Sequence, residues 1–565
     1  MSSYRPAVAN RPLPALWRTL LGLVAVVLLA ACGGTPATSA PAGSGASGAS
    51  GSSTPVAASA SGSPAAEQRA DVQELTVGIS RNLVNGEHDF LYAHTNLQVW
   101  EPLIRYDNNL VPQPGLAEKW TLSPDGLTWT FQLKTGVSFS DGTPFNADAA
   151  IANIKRDRTV SGWPSIFLGG INYSEIYGDP EGIEKIDDAS FKLVYKETRP
   201  LLPYSIANHY SAMFSPKSFG ESGDFTDLPI GTGPYKLTDW KRDQYAILTR
   251  NESYWGQKPA LTKITLKIYS DGNARLSALK AGEVDALVEL GAVLPAQARD
   301  LRNDPNFVVS AHASACSTNL GFNGATGAFK DMRLRQAVGL AIDRNAFVRD
   351  LLYGYHTPAT GMMIAPNTTF YSTDPAAQLG YDPAKAQALA KEALGGGRAK
   401  IALAFSPPGE GITALPYPQI AAYLQATLKP LGLDIELKQQ EAAALTDTLK
   451  QGSFDLTLAN NCWATGDPNY ILGRLLSSKA ALNTTNNGGY NNPKVDELLA
   501  KARITTDPAA QKQLYFEIEK IAAQEFPIDP LFDQQTIIAA RPWVKGLTQR
   551  IAYAPSFETI YLVKH

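Results

Sequence analysis

A cysteine, a tryptophan and an aspartate stand close together in the stretch NCWATGDPNY, residues 461–470, which follows the apolar run FDLTLAN. A thiolate can attack a substrate, thiolate and carboxylate groups can bind a metal, and an indole can stack on a planar group or attract a cation. A nucleophilic Cys462 would need a base and an orienting partner, and the sequence indicates neither. A catalytic thiol is therefore disfavoured, and the residues by themselves leave open a metal site, a ligand-holding surface or a tryptophan buried in the core.

The rest of the sequence carries no signature of a hydrolase or an NTPase. GxSxG, HExxH and Walker motifs do not occur in it. Its six histidines, among them His88 and His94, show no metal-ligand spacing with the cysteines. We therefore expect no catalytic residue, no metal ligand set and no cofactor. A metal carried inside a chelate is still compatible with the sequence, because a chelate needs few protein ligands.

Length and charge set broad limits. A chain of 565 residues has room for about three domains. The formal net charge of -3 does not indicate a nucleic-acid partner, which would favour a basic patch.

The N-terminus has the pattern of a secretory signal. Arg5, Arg11 and Arg18 precede the apolar stretch TLLGLVAVVLLA, which is shorter than the roughly 20 residues of a membrane-spanning helix. Leu29-Ala30-Ala31-Cys32 resembles a bacterial lipobox, so residues 1–31 are interpreted as a lipoprotein signal peptide and Cys32 as the lipidation site. Residues 32–70 are rich in Gly, Ala, Ser and Pro, which predicts a flexible tether.

Two further cysteines, Cys316 and Cys462, lie in the remainder of the chain. Outside the cytoplasm they could form a long-range disulfide or remain as small buried hydrophobic side chains. Their spacing does not decide between the two.

Strand-like and helix-like segments alternate from Asp71 onward. DGLTWTFQLKTGVSF alternates apolar and polar residues, which predicts an antiparallel hairpin. DMRLRQAVGLAIDRNAFVRDLLYG has helical periodicity and is predicted to be one helix ending at Gly354. KIALAFS, the helix around PYPQIAAYLQATLKPLG, and LDIELKQQ predict a second α/β region.

The stretch WEPLIRYDNNLVPQPGLAEKWTLSPDGLTWTFQLKTGVSFSDGTPFNADAA resembles the N-terminal signature of family 5 of the extracytoplasmic solute-binding proteins. The resemblance continues through PIGTGPYKL, NESYWGQKPALTKITL, RLSALKAGEVDAL, LGFN, RLRQAVGLAIDR and YDPAKAQALAKEAL. It implies an α/β, type II periplasmic-binding-protein-like fold, with two lobes, a hinge and an extra subdomain in lobe I.

The implied boundaries divide the folded part into five segments. Lobe I comprises residues 71–105, 225–315 and 530–565, the extra subdomain 106–224, and lobe II 316–529. The hinge is expected at Asn323 and Pro530.

The resemblance implies a lipid-anchored receptor outside the cell membrane, in the periplasmic space or on the outer face, that serves an ABC importer. It would be a monomer that captures a peptide-like small molecule or a metal chelate and delivers it to permease subunits, which cytoplasmic ATPases drive. A receptor that feeds a membrane signalling partner would use the same fold and cleft. A secreted hydrolase is the alternative from another class.

Family members carry a cleft-facing tryptophan at the strand end that Trp463 matches. Peptide receptors often have an aspartate three positions later, where this chain has Gly466, so the usual peptide anchor is missing. The tail and the PIGTGPY region resemble the nickel-binding branch, but the arginine of that branch is absent from NHYSAMFSP. The residues expected to contact ligand are Trp463, Asn461, Asp467, His94, Asn96, Trp163 and His209.

Overall fold

The protein is described from a computed structural model. The description covers residues 68–80, 98–160, 173–207, 211–223, 225, 228–362, 364, 369–372, 374, 379–407, 415–462, 465–549 and 555–565. These residues belong to one compact unit, Ala65–His565. Within them, no helix combines the length and the apolar character that a membrane crossing requires.

The strands are short except for two that run through the middle of the molecule. They are β1 Glu74–Ile79, β2 Glu101–Pro102, β3 Ile104–Tyr106, β4 Pro112–Pro114, β5 Ala117–Leu122, β6 Thr128–Leu133, β7 Gly182–Asp187, β8 Ser190–Val194, β9 Ala212–Met213, β10 Tyr235–Lys241, β11 Tyr245–Arg250, β12 Lys263–Ile268, β13 Ala286–Leu287, β14 Val308–Phe322, β15 Thr357–Pro358, β16 Ala399–Phe405, β17 Leu433–Gln439, β18 Leu456–Cys462, β19 Ile528–Ala540, β20 Val544–Lys545, β21 Thr548–Gln549, β22 Pro555–Ser556 and β23 Tyr561–Leu562.

The helices lie between these strands. They are α1 Ala147–Thr159, α2 Tyr173–Tyr177, α3 Leu202–Ile206, α4 Gly272–Ala281, α5 Pro295–Leu301, α6 Met332–Ala341, α7 Arg344–Leu351, α8 Pro383–Ala393, α9 Tyr417–Leu428, α10 Ala442–Lys450, α11 Arg474–Leu476, α12 Ala481–Asn487, α13 Pro493–Ile504 and α14 Pro508–Glu525. A π-helical turn, Asn469–Gly473, precedes α11.

One large sheet contains eleven of the described strands. Its order is β10-β11-β12-β1-β13-β19-β14-β18-β16-β17, with β15 beside β19. Strands β1, β10, β11, β12 and β13 belong to lobe I, and strands β16, β17 and β18 belong to lobe II. The long strands β14 and β19 run from one group to the other. Residues 308–313 of β14 lie opposite 535–540 of β19, whereas 316–322 of β14 also pair with β18. The two lobes are therefore built on the same pair of strands.

Each lobe has its own apolar core. In lobe I, Val77 of β1 and Leu266 of β12 belong to the same buried cluster as Phe131 of β6, Phe191 of β8 and Ile154 of α1. The four-stranded sheet β5-β6-β8-β7 thus shares a core with the main sheet, within the range expected for the extra subdomain. Apolar side chains at every second position of β6 point into this core, as the alternation in the sequence predicts.

The lobe II core packs helices against the sheet. Phe322, Leu403 and Leu458 come from three neighbouring strands, and Leu334 of α6 and Ile420 of α9 cover them.

The predicted hairpin is confirmed, because β5 and β6 pair antiparallel. The prediction of one helix over residues 331–354 is wrong, because α6 ends at Ala341 and α7 begins at Arg344. The Asp343 carboxylate accepts a hydrogen bond from the backbone N–H of Ala346, which caps the second helix. The apolar periodicity of the sequence continues from α6 into α7, so this periodicity does not reveal the break between the two helices.

A disulfide bond joins Cys316 and Cys462, which face each other directly on β14 and β18. Their Cα atoms are 4.0 Å apart and 146 residues apart in sequence. The structure thus selects the disulfide over two buried thiols.

Reduction of this disulfide should lower the free energy of unfolding by about 2–4 kcal/mol, because the unfolded chain regains the freedom that the cross-link removes. Urea denaturation with and without reductant measures the effect. The double variant Cys316→Ala/Cys462→Ala is the control, since reductant should leave its stability unchanged. Titration of two free thiols at these positions in the native, oxidised protein would contradict the assignment.

Candidate functional site

Most residues expected to contact ligand lie outside the described residues. Trp463, His94, Asn96, Trp163 and His209 are in this group, as is the lipidation candidate Cys32. Their ligand and lipid roles stay predictions. Asn461, Asp467, Gly466 and the hinge candidates Asn323 and Pro530 are described.

Asn461 lies one residue before the end of β18, directly opposite Ser317 of β14. It is 4% exposed, and Ser317 is 1% exposed. Trp463 follows Cys462, the last residue of β18, in the sequence. The end of β18 therefore lies at the junction of the two lobes, beside the long strand that both lobes share.

Three side chains tie the central strands together at this junction. The Gln534 amide of β19 donates to Thr318 Oγ1 of β14 at 2.9 Å and to Asn460 Oδ1 of β18 at 3.0 Å. Thr318 Oγ1 donates to the same Asn460 oxygen at 3.0 Å. Gln534 and Thr318 are buried, where a lost partner costs more than at the surface. Strand β18 of lobe II is thus bound to both crossing strands.

The two hinge candidates are held by lobe II. The Asn323 amide donates to the carbonyl oxygens of Gly452 at 3.0 Å and Phe454 at 2.9 Å. The Pro530 carbonyl accepts from Arg344 Nε at 2.7 Å. The pairing of β14 with β19 changes register between Ala313 and Ser317 and again between Thr318 and Asn319. These irregular positions precede Asn323, and the hinge role of Asn323 and Pro530 stays a prediction.

The segment after β18 contacts the part of the chain assigned to the extra subdomain. The Gly466 N–H donates to the Tyr106 hydroxyl at 2.8 Å, and that hydroxyl donates to the Tyr204 carbonyl oxygen. A Cβ atom on Gly466 would lie less than 3.0 Å from the Leu110 carbonyl oxygen and 2.9 Å from Tyr204 Cδ1. Leu110 itself belongs to a buried cluster made mostly of lobe II residues. Gly466 therefore permits a close approach that a residue with a side chain would prevent.

Asp467 takes part in the same contact. Its Oδ2 accepts from the Ser205 hydroxyl at 3.1 Å, and its Oδ1 accepts from the Asn469 N–H at 2.8 Å. Burial raises the pKa of Asp467 to about 6, and the hydrogen bonds from Asn469 and Ser205 oppose that shift. The structure places this carboxylate between the lobes with two protein donors, and a ligand role for it stays a prediction.

Beside Asp467 lies a cavity of about 600 Å³, here called the seam cavity. It is bounded on one side by α2, by α3 and by Arg199, which lies between these two helices in sequence, and on the other side by the π-helical turn, α11 and α13. Among the described residues, no group of three or more His, Cys, Asp or Glu side chains is arranged to hold a metal ion.

Sequence reasoning missed several polar residues at the junction. Tyr106, Ser205 and Arg199 lie 260 or more positions before the segment that they face. Asp533 on β19, opposite Ser317, is another, and burial raises the pKa of its carboxyl to about 7. No local motif marks these residues, because only the crossing of the chain brings them to the junction.

Two α/β lobes that share two crossing strands define a type II periplasmic-binding-protein fold, which confirms the predicted fold class. Residues 111–483 match the model of the bacterial extracellular solute-binding proteins, family 5 (middle), and the chain belongs to this family.

Three relatives illustrate the range of the family. The nickel-binding periplasmic protein of Escherichia coli K12 is 27% identical over 496 residues, 82% of this chain and 90% of that protein. Di/tripeptide-binding protein 2 of Pseudomonas aeruginosa is 27% identical over 80% of this chain and 86% of its own length. Glutathione-binding protein GsiB of Salmonella typhi is 30% identical over 78% of this chain and 84% of its own length.

Solved structures show the same fold. NikA from Brucella suis in complex with Fe(III)-EDTA superposes with a TM-score of 0.74 at 25% identity, covering 86% of this chain and 99% of that one. DppA from Helicobacter pylori in complex with the peptide STSA has a TM-score of 0.71 at 22% identity, covering 88% and 99%.

Gly466→Ala should lower the free energy of unfolding by about 1–3 kcal/mol, because the added methyl group overlaps Leu110 and Tyr204 in a packed contact. Urea denaturation measures the change. Gly473→Ala is the matched control, since only Asn469 Oδ1, at 4.0 Å, lies near its added Cβ atom. Equal stability of Gly466→Ala and the parent protein would show that the contact is absent in solution.

Proposed function

We propose that the protein is a membrane-anchored, extracytoplasmic receptor of an ABC importer. It captures a peptide-like small molecule or a metal chelate between its lobes and delivers it to the permease subunits. The observation that carries this proposal is the pair of crossing strands, β14 and β19, within a chain of solute-binding family 5. Such strands let two rigid lobes move relative to each other without losing their own cores.

In the proposed cycle the lobes close over the solute, and contacts made only in the closed form stabilise it. The segment 465–467 contributes to closure through Tyr106, Leu110 and Ser205. Opening at the permease releases the solute, with energy supplied by separate ATPases. The chain itself binds and releases; we propose no catalytic step.

The space around Gly466 bears on the class of ligand. A peptide anchored by an aspartate at this position would require a side chain there, and the contact with Leu110 and Tyr204 leaves no room for a Cβ atom. A solute without that anchoring requirement, such as a metal chelate or a modified peptide, fits the proposal better than an ordinary peptide. Relatives named for nickel and for glutathione support this range.

Trp463→Ala should weaken solute binding by about 1–3 kcal/mol, the range for truncating a central aromatic contact. The solute is first identified by mass spectrometry and metal analysis of the purified protein. Calorimetry then compares it with a nickel–histidine chelate, glutathione and the dipeptide Met-Leu. Trp463→Phe is the control that retains an aromatic ring. Unchanged affinity in Trp463→Ala would assign this residue to packing.

Cys32→Ser should move the protein from the membrane fraction to the soluble extracytoplasmic fraction, because a serine at this position cannot carry the thioether-linked lipid. Fractionation followed by immunoblotting measures the distribution. Ser52→Ala is the control, since it changes a residue of the predicted tether and keeps Cys32 and both cysteines of the disulfide. Continued anchoring of Cys32→Ser would contradict the lipoprotein assignment.

A further inference from the structure

A second cavity, here called the distal pocket, lies at the lobe II end of the crossing strands. It is bounded by the segment between β14 and α6, by the start of α6, by residues 489–491 after α12, and by the end of α14. Its volume is about 340 Å³, at the lower end of the roughly 300–1,000 Å³ that small-molecule sites span. Phe322, where β14 ends, lies roughly 15–20 Å along that strand from Ser317 at the junction of the lobes. The distal pocket is therefore separate from the interlobe cleft and from the seam cavity.

The guanidinium group of Arg335 brings donors to this pocket that the protein does not use. Its side chain lines the pocket, and the residue is 8% exposed. Nε donates to the carbonyl oxygens of Glu525 and Phe526, both at 3.0 Å. Nη1 donates to the carbonyl oxygens of Phe329 at 2.7 Å and Lys330 at 3.4 Å. Within the part of the chain that the structure describes, Nη2 has no acceptor, and no carboxylate oxygen lies within 4.0 Å of the group. One edge of the guanidinium is thus fixed by the protein, and the other edge is available to a ligand.

Lys330 adds a second positive charge to the same wall. It is exposed, and it ends the short 3-10 turn that precedes α6. Among the described residues, no carboxylate oxygen lies within 4.0 Å of its ammonium group. The neighbouring Asp331 caps α6 and pairs with Arg333 instead. Ammonium and guanidinium groups both bind carboxylate oxygens with charge-assisted hydrogen bonds, so Lys330 and Arg335 suit one carboxylate of a ligand.

Glu525, the last residue of α14, places a negative charge on another wall of the pocket. Its carboxylate accepts from the Tyr490 hydroxyl and from the Asn492 amide, the latter at 3.0 Å. Both donors are neutral, and no Lys, Arg or His nitrogen of the described chain lies within 4.0 Å, so no contact cancels the charge. Burial lowers the pKa of Arg335, and the negative charge of Glu525 opposes this shift. The two groups therefore interact across the pocket without forming an ion pair.

We propose that the distal pocket binds a free α-amino acid, whose carboxylate lies against Arg335 and Lys330 and whose ammonium group lies against Glu525. Glu525 would repel a simple anion, and Arg335 and Lys330 would repel a simple cation, whereas a solute with both charges suits all three groups. Met332 lines the pocket and is 41% exposed, which offers an apolar surface to the side chain of the amino acid. The site goes beyond the proposed function, because it lies outside the cleft and does not depend on which solute the receptor carries.

The test uses the full chain with L-leucine as the probe, by calorimetry and thermal unfolding. L-leucine should bind in a saturable manner, and Lys330→Gln and Glu525→Gln should each weaken its binding at least tenfold. Lys450→Gln and Glu497→Gln are the matched controls, because both residues are exposed on lobe II helices outside the pocket. Unchanged leucine affinity in either pocket variant overturns the proposal. The absence of saturable binding of both L-leucine and L-glutamine to the parent protein also overturns it.

Two analogues of leucine test the requirement for both charges. 4-Methylpentanoate lacks the ammonium group and 3-methylbutylamine lacks the carboxylate, so each should bind at least tenfold more weakly than leucine. Glu525→Gln should not weaken the binding of 4-methylpentanoate, and Lys330→Gln should not weaken that of 3-methylbutylamine. An analogue that binds as tightly as leucine would overturn the assignment of an amino acid.

A last variant separates this pocket from the solute cleft. Trp463→Ala should leave the affinity for L-leucine unchanged, because Trp463 follows the end of β18 at the junction of the lobes. A loss of leucine binding in Trp463→Ala would place the amino acid in the cleft and overturn the proposal, while the proposed function would stand.

Discussion

The pairing of β14 with β19 is the constraint on which the rest of the structure depends. These strands have 15 and 13 residues, and their ladder continues from lobe I into lobe II. Because both lobes are built on this one ladder, the proposed movement of the lobes would bend the two shared strands while their pairing is kept. Register shifts near Ala313–Asn319 interrupt the ladder at the junction, and irregular pairing is where a sheet bends most easily.

The lobe II side of the junction is reinforced twice. Thr318 and Gln534, which are buried, and Asn460, which is partly buried, form a hydrogen-bonded group across three strands. The disulfide between Cys316 and Cys462 lies two positions away along β14 and β18. This makes the end of β18 a fixed platform for the segment that follows it. In the proposed cycle, a residue at that strand end keeps its position relative to lobe II.

The described contacts between lobe II and the part of the chain assigned to the extra subdomain are individually weaker than the disulfide and the shared strands. They include single hydrogen bonds, such as those from Ser205 to Asp467 and from Gly466 to Tyr106, and exposed ion pairs such as Glu197 with Arg503. Contacts of this type each contribute about 1 kcal/mol or less in water. In the proposed cycle, contacts of this strength allow the free energy of a bound solute to decide between the open and the closed form.

The sequence by itself determined the family and the alternation of strands and helices, because both can be recognised from motifs and from local periodicity. It also singled out Gly466 as unusual but gave no cause. Only the tertiary structure decided the disulfide, the break between α6 and α7, and the close approach of Leu110 and Tyr204 to Gly466. Two of these depend on partners at least 146 residues away, and the helix break depends on a side-chain cap inside a continuous apolar pattern. The crossing of the chain between the lobes fixes the long-range contacts, and no local pattern encodes it.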